Sequence, residues 1–145
     1  MCGIAGEIRF DNSYPSQDNI QTMLNTMSKR GPDGHGVYAY NNMAFGHRRL
    51  SIIDLSDQGS QPMVDNNLGL VLTFNGCIYN YPDLRAELIE MGYSFFSTSD
   101  TEVILKAYEA WGEDCVKRFH GMFAFAIWER KTGKVFLARD RFGIK

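Results

Sequence analysis

The sequence contains no apolar run near the ~20 residues that a membrane-spanning helix needs. Its first residues, MCGIAGEIRF, also lack the basic segment and the long apolar segment of a secretory signal peptide. Basic residues are not in excess, because 15 Lys and Arg stand against 17 Asp and Glu. The net charge of −2 provides no electrostatic basis for binding nucleic acid or an anionic membrane surface. We therefore expect a cytoplasmic protein that binds neither.

Cysteine is scarce, and its pattern excludes two structural roles. The three cysteines, Cys2, Cys77 and Cys115, are odd in number and match neither a disulfide framework nor the spacing of zinc ligands. No Cys-x-x-Cys pair indicates a thiol redox motif. We therefore expect three free thiols, no metal site and no cofactor in this domain.

Internal repeats, linkers and low-complexity tracts are also missing, so the 145 residues fit one domain. Apolar residues make up 44% of the chain and aromatic residues 13%, which is enough for a hydrophobic core. The last stretch, KVFLARDRFGIK, has no polar tail. This ending indicates that residues 1–145 are the first domain of a longer protein.

Hydrophobic periodicity predicts both helices and strands. Helices are predicted over 18–29, after Pro82, and from Ser99, where Ser99 and Glu102 form a candidate capping box. Strands are predicted, in order, over 2–10, 36–41, 43–49, 68–76, 121–129 and 134–140. Residues 54–67 are rich in Asp, Ser, Gln, Gly and Asn and are predicted to form a long loop.

Several of the predicted strands are apolar on both faces. A sheet with one face in water would instead alternate apolar and polar residues. The pattern therefore predicts two sheets packed against each other, with helices on the outside.

Cys2 follows the initiator Met1 directly, which is unusual. Removal of Met1 would leave a thiol and an α-amine on one residue, and this amine has a reference pKa of ~7.7–8.0. A neutral amine can act as the general base for a nucleophile on the same residue. Gly3 would let a substrate approach the backbone closely. By itself, Cys2 remains open between a nucleophile and an ordinary small residue.

Seven short blocks settle this alternative by resemblance. They are 2–6 (CGIAG), 30–33 (RGPD), 47–54 (HRRLSIID), 75–80 (NGCIYN), 99–102 (SDTE), 121–126 (GMFAFA) and 138–140 (ARD). In this order they resemble the class II glutamine amidotransferases, specifically the asparagine-synthetase-like branch. The resemblance implies an α+β fold of the N-terminal-nucleophile hydrolase type, a four-layer α/β/β/α sandwich of two antiparallel sheets flanked by helices.

The resemblance also implies hydrolysis of L-glutamine, with Cys2 attacking the side-chain amide. The side-chain amide of Asn75 and the backbone N–H of Gly76 would stabilise the oxyanion of the tetrahedral intermediate. From the residues alone, Asn75-Gly76 would be interpreted as a tight turn.

Two charged residues are expected to recognise the head of the amino acid. Arg49 would bind the α-carboxylate through its planar fork, and Asp100 would bind the α-ammonium. The alternative for Asp100 is an ordinary acid in the first turn of a helix. Backbone groups expected to line the same pocket belong to Leu50, Ser51, Ile52 and Ile53. His47 is expected to be a buried, hydrogen-bonded histidine without a catalytic role.

One position departs from the family pattern. Most relatives carry Glu after Asn-Gly, where it also binds the α-ammonium, but this chain carries Cys77. An uncharged thiol cannot replace that carboxylate. The block NGCIYN resembles a side branch that is thought to amidate N-acetylglutaminylglutamine, so the acceptor stays open between aspartate and this dipeptide.

The partners follow from the same resemblance. A synthetase domain of the same protein, C-terminal to residue 145, would bind ATP and Mg²⁺ and use the ammonia. A homodimer is a further expectation. The alternative function is a catalytically weak, glutamine-binding regulatory module, and Cys77 is the only feature that favours it.

Overall fold

The computed structural model describes all of residues 1–145. In chain order the elements are β1 (Gly3–Ile8), α1 (Gln17–Thr26), β2 (Gly34–Tyr40), β3 (Met43–Arg49), β4 (Met63–Asp65), β5 (Leu70–Ile78), α2 (Tyr81–Glu90), α3 (Asp100–Trp111), β6 (Gly121–Glu129) and β7 (Val135–Arg139). Short 3-10 helices span Asp57–Gly59 and Gly112–Arg118. None of the helices combines the length and apolar character needed to cross a membrane.

The strands form two antiparallel sheets that pack face to face. One sheet has the order β1-β3-β2 and the other β4-β5-β6-β7. Between them lies a buried cluster in which Met43 and Phe45 of β3 contact Val71 of β5 and Trp128 of β6. This cluster is the inner core of the predicted sandwich.

Helices cover the outer face of each sheet. Ile20 and Leu24 of α1 are fully buried against the three-stranded sheet. On the far side, Leu88 of α2 and Ile104 of α3 pack in one cluster with Leu72 of β5. The predicted four-layer α/β/β/α arrangement is confirmed. It explains why β5 is apolar on both faces, since one face meets the other sheet and the opposite face meets helices.

Two local predictions were wrong. The stretch 54–67 is not only a loop, because it contains β4, which pairs with one edge of β5. The predicted capping box is only half present. The Ser99 hydroxyl accepts from the Thr101 N–H, but the Glu102 carboxylate accepts from the N–H groups of Phe96 and Ser97 instead of returning to Ser99.

A buried charged cluster joins β4 to α3. Lys106 bonds to Asp65 and lies 3.8 Å from Glu102, and all three side chains are at most 8% exposed. Burial works to raise the pKa of Asp65, but the hydrogen bond from Lys106 holds that pKa below its usual value. Such a cluster is costly to break, because removing one partner leaves an unpaired buried charge.

We therefore expect Lys106→Met to lower the free energy of unfolding by about 3–5 kcal/mol. The matched control is Lys117→Met, because Lys117 pairs with Asp114 on the surface, where both side chains are about 70% exposed. An exposed pair contributes about 1 kcal/mol or less. Denaturant unfolding of both variants measures the difference, and similar small losses in both would contradict the role of the buried cluster.

Candidate active site

All ten residues predicted for the site line one cavity of about 160 Å³. They are Cys2, Arg49, Leu50, Ser51, Ile52, Ile53, Asn75, Gly76, Cys77 and Asp100. The first precedes β1, the next five run from the end of β3 into the following loop, three lie near the end of β5, and the last begins α3. Sites for drug-sized ligands usually measure about 300–1,000 Å³, so this cavity suits a smaller molecule.

The Cys2 thiol lies against the backbone that follows β3. Pairing of β1 with β3 sets Gly3 opposite Arg48, which brings Cys2 alongside Leu50. The Leu50 N–H donates to Cys2 Sγ at 3.3 Å, and the thiol lies 3.6 Å from the Leu50 carbonyl oxygen. The backbone N–H can stabilise negative charge on sulfur. The thiol is therefore positioned by the same segment that lines the cavity.

The edge of β5 beside the cavity has no neighbouring strand. β4 begins only at Met63, opposite Leu72, so the peptide groups of β5 that follow Leu72 on that edge need other partners. Gln61 Oε1 accepts from the Phe74 N–H at 2.6 Å, and His47 Nε2 lies 3.1 Å from the Phe74 carbonyl oxygen. These two side chains hold the backbone immediately before Asn75.

Further along the same edge, the Ile78 N–H donates to Asp100 Oδ2 at 3.0 Å. Backbone groups of alternate residues point to the same side of a strand, so the Gly76 N–H points there too. No side chain accepts a hydrogen bond from it, and Gly76 lines the cavity. A Cβ at Gly76 would lie 2.2 Å from the Met122 carbonyl oxygen, which explains the need for glycine.

Alternation along β5 also directs the neighbouring side chains. Phe74 and Ile78 belong to the core beneath the helices, so Asn75 and Cys77 project from the opposite face, toward the sheet that carries β1. Cys2 is at the start of that strand. The Asn75 side chain, the Gly76 N–H and the Cys2 thiol thus converge on one cavity.

Two backbone carbonyl groups accept hydrogen bonds from the Arg49 guanidinium. Its Nη1 donates to the Ser56 carbonyl at 2.8 Å, and its Nη2 donates to the Asp54 carbonyl. A guanidinium carries five N–H donors, so three remain for a ligand. Gly59 also lies close to the guanidinium, because a Cβ there would be 2.5 Å from Arg49 Nη2.

Asp100 is a buried carboxylate without a cationic partner. Its side chain belongs to a residue that is 4% exposed, and no Lys or Arg forms an ion pair with it. Burial raises its pKa to about 6, although hydrogen bonds from Ile78 and Thr101 act in the opposite direction. An unpaired buried charge is unfavourable, so a cation entering this end of the cavity would be stabilised.

Cys77 lies in the same part of the cavity and remains a thiol. Burial raises its pKa, and the negative charge of Asp100 raises it further. It therefore adds no negative charge beside Asp100.

Among the lining residues that the sequence reasoning did not name as site residues, three lie in the loop after β3, namely Asp54, Gly59 and Gln61. Asp54 closes the block 47–54 and could have been singled out there, whereas Gly59 and Gln61 lie in a polar stretch that carries no such signal. His47 is fully buried and hydrogen-bonded, as predicted, and burial lowers its pKa to about 4. No group of three or more His, Cys, Asp or Glu side chains could hold a metal ion.

Known proteins resemble the chain in both sequence and fold. It is 44% identical over 148 residues to asparagine synthetase (glutamine-hydrolyzing) 3 of Bacillus subtilis, covering 100% of this chain and 24% of that protein. It is 40% identical to a putative asparagine synthetase (glutamine-hydrolyzing) 2 of Methanocaldococcus jannaschii, covering 100% of this chain and 31% of that protein. The chain thus spans less than a third of the length of these relatives.

Among solved structures, glutamine phosphoribosylpyrophosphate amidotransferase from B. subtilis, complexed with ADP and GMP, superposes with a TM-score of 0.79 at 21% identity. The match covers 100% of this chain and 38% of that one, and it supports the fold. A family model described as a glutamine amidotransferase domain matches residues 1–145. The chain therefore belongs to the glutamine amidotransferase family, as its sequence blocks predicted.

Proposed function

We propose that this domain hydrolyses L-glutamine to L-glutamate and ammonia, with Cys2 as the nucleophile once Met1 has been removed. The observation that carries the proposal is the composition of one cavity. It combines a half-buried thiol, a guanidinium with free donors and a buried carboxylate without a counter-charge. A free α-amino acid presents the complementary charges.

The head of glutamine would lie between Arg49 and Asp100. The donors of Arg49 that are not used by backbone carbonyls would bind the α-carboxylate. Asp100 would bind the α-ammonium and gain an ion-pair partner that no Lys or Arg of the domain provides. Backbone groups of Leu50, Ser51, Ile52 and Ile53 would line the remaining wall. The side-chain amide of glutamine then points toward Cys2.

Removal of Met1 is required because the nitrogen of Cys2 is otherwise a peptide nitrogen, which is not basic. The freed amine accepts the thiol proton, and Sγ attacks the amide carbon. Asn75 and the Gly76 N–H stabilise the resulting oxyanion. The proton passes to the leaving nitrogen, the C–N bond breaks and ammonia departs. Water then hydrolyses the thioester and releases glutamate.

The ammonia would be used by an ATP-dependent synthetase domain of the same protein. This proposal is supported by relatives that are much longer than this chain and are named glutamine-hydrolyzing asparagine synthetases. ATP and Mg²⁺ would bind in that domain, and the acceptor would be aspartate or N-acetylglutaminylglutamine. A purely regulatory module is not favoured, because only Cys77 speaks for it while Cys2, Asn75 and Asp100 are all present.

Intact-mass measurement of an active preparation should give a chain that begins at Cys2. A cleavable tag fused before Cys2 should abolish glutaminase activity, because it removes the free amine. Cleavage that leaves Cys2 as the first residue should restore activity in the same sample. Full activity in a preparation that retains Met1 on every chain would refute the mechanism.

Glutamine binding should depend on the ionisation of Asp100, whose pKa is about 6 in the empty domain. The dissociation constant, measured by calorimetry in the Cys2→Ala variant, should rise as the pH falls through 6. Asp100→Asn should bind weakly, with little pH dependence. The matched control is Asp83→Asn, because Asp83 lies in the first turn of α2 but is exposed. If adding Asp100→Asn to the Cys2→Ala variant leaves the affinity for glutamine unchanged, Asp100 only stabilises the first turn of α3.

The same substitution should stabilise the empty domain at pH 7. The folded-state pKa of Asp100 lies above the unfolded value of 3.8, so folding takes up a proton between these values. Stability from this group is therefore present below pH 4 and lost as the pH rises through 6. At ~1.4 kcal/mol per pKa unit, Asp100→Asn could gain up to about 3 kcal/mol.

Cys77→Glu should tighten glutamine binding by about one to two orders of magnitude. A second carboxylate beside Asp100 adds a charge-assisted hydrogen bond to the α-ammonium, worth ~1.5–3 kcal/mol. Titrations belong at pH 8 under reducing conditions, so that both carboxylates are ionised. Cys77→Gln is the control, since the Gln side chain has nearly the size of Glu but carries no charge. Equal tightening by both variants, or no tightening by either, would show that a carboxylate at position 77 does not bind the α-ammonium.

A further inference from the structure

The two charged recognition groups of the cavity come from distant parts of the chain. Arg49 ends β3 and Asp100 begins α3. A carboxylate and an ammonium on one carbon atom have a fixed separation, so a site that uses both groups needs a fixed distance between them. Something in the protein must therefore tie the loop after β3 to the start of α3.

Asp54 makes this connection with its two carboxylate oxygens. Oδ1 accepts from the Ser56 N–H at 2.8 Å and from the Ser56 hydroxyl at 2.6 Å. Oδ2 accepts from the Thr98 N–H at 3.0 Å. Burial works to raise the pKa of Asp54, but the hydrogen bonds from Ser56 and Thr98 prevail and lower it to about 2. The bridge is therefore a charged one at neutral pH.

The Ser56 end of this bridge determines where the guanidinium lies. Arg49 donates to the backbone carbonyls of Asp54 and Ser56, the same two residues that the Asp54 carboxylate draws together. Gly59 packs against both, because a Cβ there would be 2.5 Å from Arg49 Nη2 and 3.1 Å from Asp54 Cβ. Any change in this turn therefore moves the guanidinium.

The Thr98 end leads directly into α3. Thr98 is followed by Ser99, whose hydroxyl accepts from the Thr101 N–H, and then by Asp100. Just before it, the Ser97 N–H donates to Glu102 at 2.7 Å. The Thr98 N–H thus bonds the approach to α3 to the loop that holds the Arg49 guanidinium.

We infer that Asp54 is a positioning residue that sets the separation between the Arg49 guanidinium and the Asp100 carboxylate. It thereby selects ligands that carry an α-carboxylate and an α-ammonium together. This role rests on the proposed function, because it assumes that an α-amino acid occupies the cavity. Asp54 acts through Arg49 and Asp100, and it leaves the thiol and the oxyanion donors unaffected.

The test is Asp54→Asn, measured as glutamine hydrolysis by the purified protein. Asparagine has one carbonyl oxygen, so it can serve either Ser56 or Thr98, and its NH₂ group faces an N–H donor on the other side. The KM for glutamine should rise about 10- to 100-fold, while kcat changes less than about threefold. Loss of positioning weakens binding of the α-carboxylate and α-ammonium, but it does not change the reacting amide or the thiol.

Asp11→Asn is the matched control. Asp11 forms the same local Asp-x-Ser turn, accepting from the Ser13 N–H at 3.1 Å and its hydroxyl at 2.7 Å. The Ser13 hydrogen bonds likewise lower its pKa to about 2. Asp11 does not line the cavity. Its substitution should leave both KM and kcat unchanged.

Gly59→Ala provides a second variant that leaves Asp54 in place, should Asp54→Asn fail to fold. Its added methyl group should displace the guanidinium and raise KM about tenfold, with kcat again preserved. An unchanged KM in the folded variants, or a kcat that falls in step with the rise in KM, would overturn the role of Asp54 while glutamine hydrolysis stands. A parent protein that neither binds nor hydrolyses glutamine would instead overturn the proposed function.

Discussion

The candidate site depends on one constraint, which is that β4 stops short and leaves an edge of β5 unpaired. Buried backbone groups need hydrogen-bond partners, so this open edge has to be completed by side chains. Gln61 and His47 complete it at Phe74, and Asp100 completes it at Ile78. The Gly76 N–H between these two points is left facing the cavity. A full-length neighbouring strand would have occupied it.

Carboxylates organise the connections around this edge. Asp54 bonds to the backbone at Ser56 and Thr98, and Glu102 bonds to the backbone at Phe96 and Ser97. Asp100 differs from Asp54, because burial outweighs its hydrogen bonds and raises its pKa, whereas the hydrogen bonds of Asp54 prevail and lower its pKa. Asp100 is thus a buried carboxylate without an ion-pair partner on the wall of the cavity. Poor satisfaction of a buried group is expected where a ligand provides the missing partner.

The sequence predicted the layers and most elements well, because these depend on local pattern. The hydrophobic periodicity of 18–29 identified α1, and the double-sided apolar character of 68–76 predicted a strand covered on both sides. Every residue that the sequence blocks predicted to act on glutamine lines the cavity. Their individual roles remain predictions, since no bound ligand tests them.

The parts that escaped prediction depend on partners that the local sequence pattern does not reveal. β4 contains Asp65, an unfavourable strand residue whose charge is compensated by Lys106, 41 residues further on. Glu102 fitted the spacing of a capping box, but it accepts from the Phe96 and Ser97 N–H groups, while the Ser99 N–H donates to the Ser97 hydroxyl. Gly59 is needed because the Arg49 guanidinium and the Asp54 side chain lie against it. None of these requirements is visible in the pattern of neighbouring residues.

The raised pKa of Asp100 would couple the binding of a cation at this carboxylate to the release of a proton. A pKa of about 6 leaves this carboxyl group partly protonated in mildly acidic solution. Under the proposed function, an arriving α-ammonium stabilises the ionised form, so glutamine and this proton compete for one buried site. Capture in mildly acidic solution would then expel a fraction of a proton for each molecule bound, and the observed binding enthalpy would include the heat of protonating the buffer. In alkaline solution the carboxyl group is already ionised, so binding would involve almost no proton exchange at this group.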